Sequence, residues 1–138
     1  MSFFDTQRPH ERYVRVSVPA LYYFIHQLER ANTKQFRMGE SVEVGDFALC
    51  FKARVLDPGL MTSSMADEVF IEVRLKLEDG STFDARGRVV WVQELPDPEH
   101  KTFLVGMEYT EADEGSRDAF LAKTAKIGAL VDPSNAAS

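Results

Sequence analysis

Residues 69–92 form the stretch VFIEVRLKLEDGSTFDARGRVVWV, which contains the strongest indication of the fold. Apolar residues occupy every second position from Val69 to Leu77, and this is the period of a strand with one buried face. The pair Asp79-Gly80 marks a tight reversal, because glycine accepts the positive φ that hairpin turns require. Alternation resumes after the turn. The stretch therefore predicts an antiparallel β-hairpin.

Other segments extend this β pattern in both directions. Strict alternation over residues 13–18 predicts a first strand, and residues 102–109 predict a last one. Residues 42–51 predict a strand whose second half, from Phe47 to Phe51, is continuously apolar and therefore suits burial on both faces. We expect Phe51 to point inward. Asp46 should lie at the rim.

The segment 19–35 is ambiguous. Apolar residues at helical spacing follow Pro19, but the aromatic cluster at 22–25 prefers a strand, and we interpret the segment as a strand. The runs 57–64 and 95–100 are rich in turn residues and predict loops.

In the C-terminal part of the chain, the spacing of apolar residues changes from that of a strand to that of a helix. Acidic residues at 111–114 and an apolar stripe further on predict a helix over 111–131, and residues 132–138 should be a disordered tail. The strands over 13–110 are most economically arranged as a small antiparallel β-barrel. The predicted fold is mainly β, with a six-stranded-type barrel and a C-terminal α-helix.

Charge and composition exclude several function classes. The net charge of −6 argues against DNA or RNA binding, yet residues 1–39 carry +3 while the remainder carries −9. Cys50 is the only cysteine and lies in an apolar run, so we expect it to be buried. The three histidines are scattered and no glycine-rich phosphate loop is present, which argues against an enzyme. With no span-length apolar run and no signal region, we expect a cytoplasmic protein without membrane insertion.

Positive charge is concentrated in the N-terminal arm. Arg8 and Arg12 lie four residues apart directly before the first strand. The planar arginine fork donates paired hydrogen bonds to phosphates and guanine edges, so the pair is a candidate anion clamp. Residues 1–12 contain few apolar anchors, and we expect a flexible basic arm.

Taken together, these motifs resemble the PilZ domain, a bacterial β-barrel that serves as a cyclic di-GMP receptor. The resemblance is carried by the R-x-x-x-R arm from Arg8 to Arg12, by the block Arg86-Gly87-Arg88-Val89-Val90-Trp91-Val92, and by Val105-Gly106-Met107-Glu108-Tyr109 before a helix. It implies a barrel fold and a role in signalling such as motility or biofilm control.

The second nucleotide motif of that family, D-x-S-x-x-G, is altered in this chain. Asp46 matches, but Ala48 stands at the serine position and Phe51 at the glycine position. The resemblance implies that Arg8, Arg12, Asp46 and Ala48 would form the cyclic di-GMP site, with no other cofactor and no metal. Two functions stay open: a cyclic di-GMP receptor that regulates an effector protein in trans, and an adaptor that binds only proteins.

Overall fold

The computed structural model describes residues 3–25, 36–54, 70–96, 99, 101–127 and 129–131. Within these residues the chain forms two helices and eight strands. In chain order they are α1 (Phe3–Gln7), β1 (Tyr13–Arg15), β2 (Pro19–Ile25), β3 (Arg37–Gly45), β4 (Ala48–Ala53), β5 (Phe70–Lys76), β6 (Thr82–Glu94), β7 (Phe103–Ala112), α2 (Glu114–Thr124) and β8 (Ala129–Val131).

Six of the strands close into an antiparallel barrel. The pairing order is β2, β5, β6, β7, β4 and β3, and β3 pairs again with β2. Strand β1 pairs with the second half of β3, and β8 pairs with β1. The predicted fold class, a mainly β barrel with a C-terminal helix, is confirmed.

The hairpin expected from residues 69–92 is the β5–β6 pair. Its register places Lys76 opposite Thr82. The turn N–H of Gly80 donates to the carbonyl of Leu77 over 3.0 Å, and Gly80 has a φ of 88°. Glycine is therefore needed here because the backbone is left-handed.

The structure describes only some of the segments for which the sequence predicts a strand, a loop or a tail. The strand interpretation of 19–35 is confirmed for Pro19–Ile25. Residues 26–35, 55–69, 97, 98, 100, 128 and 132–138 lie outside the described residues, and with them the predicted loop at 57–64, part of the loop at 95–100 and the predicted tail.

A bulge in β3 separates β1 from β2. The β3–β4 register shifts between Ser41 and Glu43. The buried Ser41 hydroxyl accepts from the N–H of Val18 over 2.9 Å and donates to the carbonyl of Val16. It thus satisfies backbone groups in the link between the two strands, where ladder pairing is interrupted.

The prediction of a single strand over 42–51 is wrong, because a turn at Asp46 and Phe47 divides that range between β3 and β4. Strand β4 is buried on both faces, as its apolar sequence predicts. Successive side chains of a strand point to opposite faces. Leu49 and Phe51 pack in the barrel interior, whereas Ala48 and Cys50 belong to a second apolar cluster. Phe51 is fully buried, so its predicted inward position is confirmed. Burial raises the pKa of the Cys50 thiol, which keeps it protonated.

Helix α1 completes that second cluster from outside the barrel. Phe3 and Phe4 are fully buried. A Cβ at Gly106 would lie 2.6 Å from the Phe3 ring, and one at Gly45 would lie 2.7 Å from the Phe4 ring. Phe3 also contacts Trp91, and Phe4 stacks on Tyr13. The two glycines therefore leave room for Phe3 and Phe4, the two apolar anchors of the arm, to pack on the barrel.

The C-terminal helix is shorter than the predicted range 111–131. Strand β7 continues to Ala112, which pairs with Ala85 of β6. Asp113 then caps α2 by accepting from the N–H of Ser116 over 2.8 Å. Ala129–Val131 forms β8 and pairs with β1 instead of continuing the helix. Strand pairing therefore decides both ends of this segment.

We predict that the contact between Phe3 and Gly106 couples α1 to the barrel. Phe3→Ala should lower the free energy of unfolding by about 3–5 kcal/mol, the usual result of truncating a buried phenylalanine. Gly106→Ala should be destabilising in the wild-type background but nearly neutral in the Phe3→Ala background, because the ring that its Cβ meets is gone. Urea denaturation of the four proteins measures this coupling, and additive effects would contradict the docked position of α1.

We also predict that the hairpin turn contributes to stability in a pH-dependent way. Asp79 accepts hydrogen bonds from the Ser81 hydroxyl and N–H and from the Lys123 ammonium of α2, and these contacts lower its pKa. A carboxylate with a lowered folded-state pKa stabilises the protein above its unfolded pKa, and the contribution is lost as the pH falls. Asp79→Asn should therefore flatten the loss of stability below about pH 4. An unchanged pH profile of unfolding would contradict this role.

Candidate functional site

The arginine arm lies where α1, the β3–β4 turn and β7 meet. Arg8 follows the end of α1, and its N–H donates to the carbonyl of Phe4 over 2.9 Å. Arg12 immediately precedes β1, the partner of β3. The buried phenylalanines at one end and the β1–β3 ladder at the other thus fix the position of both arginines.

Arg8 is held by two carboxylates. Its guanidinium contacts Glu11 at 2.7 Å and 2.8 Å, and a third nitrogen contacts Glu108 of β7 at 3.1 Å. The side chain is 18% exposed. The hydrogen bond with Glu11, assisted by Glu108, raises the pKa of Arg8 above its ordinary value, although burial opposes the shift. Both branches of this fork are therefore occupied by the chain itself.

Arg12 makes a two-pronged contact with Asp46 in the β3–β4 turn. Its Nε lies 3.2 Å from one carboxylate oxygen and its Nη2 lies 3.0 Å from the other. Arg117 of α2 donates to the backbone carbonyl of Asp46 over 3.2 Å. Paired forks of this kind are strong and directional. Asp46 consequently links the arm to both the barrel and the C-terminal helix.

The β3–β4 turn is further held by Tyr109 of β7. The Tyr109 hydroxyl donates to the carbonyl of Gly45 over 3.0 Å, and its N–H donates to the carbonyl of Phe47 over 2.9 Å. Burial raises the pKa of Tyr109, so the phenol remains a donor. Phe47 itself is 59% exposed, with Arg117 centred 6.0 Å from its ring. The turn therefore presents an aromatic side chain from a fixed backbone.

A second polar network fastens α1 to β1. The Tyr13 hydroxyl donates to Asp5 over 3.0 Å, and Arg15 donates to the Tyr13 hydroxyl over 3.0 Å. Arg15 also lies 3.4 Å from Asp5 and 3.8 Å from the buried Glu43. The hydrogen bond with Tyr13 is the main contact that raises the pKa of Arg15. A third N-terminal arginine is thus engaged within the chain.

The structure brings together three of the four predicted site residues. Arg8, Arg12 and Asp46 line the same edge of the barrel. Ala48 does not join them: it is fully buried in the cluster that contains Phe3 and Phe4. In this conformation its side chain is covered by α1 and has no surface to offer a ligand.

Several residues of this site are not evident from the sequence. Glu108 is unremarkable in a strand, and only the fold brings it to Arg8. Two adjacent phenylalanines at positions 3 and 4 are the one local signal of an anchored arm, since large apolar residues are seldom left exposed in pairs. Phe47 belongs to an apolar run in the sequence, but as a turn residue it faces solvent.

The contacts of Arg8 with Glu108 and of Arg12 with Asp46 can hold the arm against the barrel without a bound anion. An external anion would have to displace Glu11 and Glu108 from Arg8, or Asp46 from Arg12. Among the described residues, no group of three or more His, Cys, Asp or Glu side chains is placed to hold a metal ion. Within the same part of the chain, no helix is long and apolar enough to cross a membrane.

Comparison with known proteins supports the fold. No protein-family model matches the chain, and no curated protein is similar to it. Among solved structures, it is similar to the inhibitor of motility MotI/DgrA of Bacillus subtilis, with a TM-score of 0.57 and 15% identity over 87% of this chain. The chain spans about half, 51%, of that protein's chain. This likeness concerns the fold alone, and it supports the predicted small β-barrel with a C-terminal helix.

We predict that Arg12 and Asp46 are coupled only modestly. Arg12 is half exposed and water screens the pair, so a double-mutant cycle with Arg12→Ala and Asp46→Ala should give about 0.2–1 kcal/mol. The coupling should shrink as salt is added. A coupling above about 2 kcal/mol that is insensitive to salt would show that the pair, rather than the phenylalanines, holds the arm.

Proposed function

We propose that this protein is a PilZ-like regulatory adaptor that binds a partner protein and keeps its arginine arm closed with its own side chains. The observation that carries the proposal is the pairing of both arm arginines with carboxylates of the chain. Arg8 contacts Glu11 and Glu108, and Arg12 contacts Asp46. A shape maintained without a nucleotide suits a protein that presents a constant surface.

The altered second motif supports the same function. Ala48 fills space beneath α1, where a serine hydroxyl would lie among apolar side chains. A buried hydroxyl without a partner is unfavourable, so alanine suits a position covered by phenylalanine rings. Phe51 occupies the barrel interior and contacts Tyr22, with ring centres 4.9 Å apart. Both substitutions therefore serve packing in the closed state.

A second candidate is the cyclic di-GMP receptor, which the resemblance implies. The observation in its favour is that Arg8, Arg12 and Asp46 converge on one edge of the barrel. Nucleotide phosphates would then replace Glu11 and Glu108 as partners of Arg8 and Asp46 as the partner of Arg12, and the arm would move when they did. The structurally similar protein is an inhibitor of motility, and such a role is compatible with regulation of a partner by either route.

We predict that calorimetric titration detects no cyclic di-GMP binding by the wild-type protein at nucleotide concentrations up to about 100 μM, a range in which a working receptor would saturate. The arginine forks are already satisfied, and a ligand must first break those contacts. Glu108→Gln, which removes one competing carboxylate, serves as a sensitised variant.

Detectable cyclic di-GMP binding would instead favour the receptor function over the adaptor function. In that case, Arg8→Ala should weaken binding by about 1.5–3 kcal/mol, the contribution of a charge-assisted hydrogen bond, or roughly 10- to 150-fold in Kd. Arg74→Ala is the matched control, because Arg74 is an exposed arginine on β5 that pairs with Asp84. Saturable binding that Arg8→Ala abolishes and Arg74→Ala preserves would overturn the nucleotide-independent adaptor.

A further inference from the structure

An open groove of about 980 Å³ lies on the outside of the barrel beyond the N-terminal helix. It is bounded by the link between β1 and β2, the beginning of β3, the end of β4 and the segment that follows β6. Its apolar side chains are Val18, Pro19, Met38, Leu95 and Pro96. Met38 is 65% exposed. Methionine is adaptable and is enriched at protein interfaces.

The groove continues the surface on which α1 is docked. Ala48 and Cys50 point outward from β4 and are covered by Phe3 and Phe4. Lys52 is the next outward position of β4, and Arg54 directly follows the strand; both are exposed and line the groove. Among the described residues, the N-terminus therefore covers only the first half of this side of β4.

Two positive charges lie on the groove floor. Within the described parts of the chain, neither Lys52 nor Arg54 forms an ion pair. Glu40, which is opposite Lys52 in the β3–β4 register, accepts from the Ser17 hydroxyl over 2.8 Å and also lines the groove, so two cations and one carboxylate lie there. In a chain with a net charge of −6, an adjacent pair of such cations favours an acidic ligand.

The spacing of the cations indicates the form of that ligand. Residues two apart on a strand are separated by roughly 6.6–6.8 Å, and carboxylates at alternate positions of an extended peptide have the same repeat. The β3–β4 register places Met38 beside Arg54, and Leu95, which donates to the carbonyl of Thr102, lies on the other side of it. An apolar side chain of the peptide just beyond the carboxylate that contacts Arg54 would therefore meet both. An open groove with charge along its floor suits a peptide better than an enclosed small molecule.

We propose that this groove binds an extended segment of a partner protein that carries acidic residues at alternate positions, followed by an apolar residue on the same face. The proposal rests on the proposed adaptor function and names the partner's chemistry. Lys52 and Arg54 contact the two carboxylates. Met38 and Leu95, on either side of Arg54, receive the apolar side chain that follows.

The test uses a fluorescein-labelled peptide of sequence Leu-Ser-Glu-Ser-Glu-Ser-Leu and the full-length protein. Fluorescence anisotropy measures affinity, and amide chemical shifts locate the contact. Two control peptides complete the set: Leu-Ser-Lys-Ser-Lys-Ser-Leu reverses the charge, and Leu-Ser-Ser-Glu-Glu-Ser-Leu keeps the charge but loses the alternate spacing. We expect saturable binding of the first peptide, with shifts at 38–40, 52–54 and 95–96, and weaker binding of both controls.

The protein variants are matched in charge. Lys52→Glu with Arg54→Glu should weaken binding at least about tenfold, and Lys76→Glu with Lys126→Glu, two exposed lysines outside the groove, should change it less than about twofold. Circular dichroism checks that both variants fold. Absence of binding, equal binding of the two acidic peptides, or an equal loss of affinity in both variants would contradict the proposal that this groove binds an acidic peptide. Cyclic di-GMP binding would instead overturn the nucleotide-independent adaptor, so the two failures are distinct.

Discussion

The packing of two adjacent phenylalanine rings on glycine backbone is the contact on which the rest of the N-terminal region depends. Full burial of a phenylalanine side chain stabilises a fold by about 1.5–3 kcal/mol, whereas a half-exposed ion pair contributes about 0–1 kcal/mol. Phe3 and Phe4 are therefore the dominant anchors, and the arginine pairs align what the rings have already positioned. Gly45 and Gly106 are required because any side chain there would occupy the space of a ring.

The fold could be predicted from the sequence wherever its contacts are local. The β5–β6 hairpin follows from alternation and a glycine turn, and the two buried faces of β4 follow from its apolar run. The limits of the C-terminal helix could not be predicted in the same way. Acidic residues after Thr110 are compatible with a helix start, but pairing of Ala112 with Ala85 extends the strand. The end of β7 is therefore determined by a pairing partner 27 residues away in sequence.

The candidate site was predictable only in part, for a related reason. Arg8, Arg12 and Asp46 belong to short motifs, and the barrel brings these motifs to one edge. Their present partners cannot be inferred from spacing, since Glu108 lies 100 residues from Arg8 and Asp46 lies 34 from Arg12. Ala48 occupies the serine position of the second motif, yet strand alternation and the docked helix bury it. The motif therefore locates a site without specifying what fills it.

The distribution of paired charge changes the meaning of the basic N-terminus. By sequence, the excess of positive charge over residues 1–39 indicates an anion site. In the folded chain, Arg8, Arg12 and Arg15 each contact carboxylates of the chain, so their charge is already compensated. Lys52 of β4 and Arg54, which directly follows the strand, differ from these arginines, because they lie on the same side of the barrel but form no ion pair with the described residues. A ligand approaching that side meets neutralised arginines at one end and positive charge at the other. Attraction of an acidic partner would therefore be directed to the groove, where binding breaks no ion pair among the described residues.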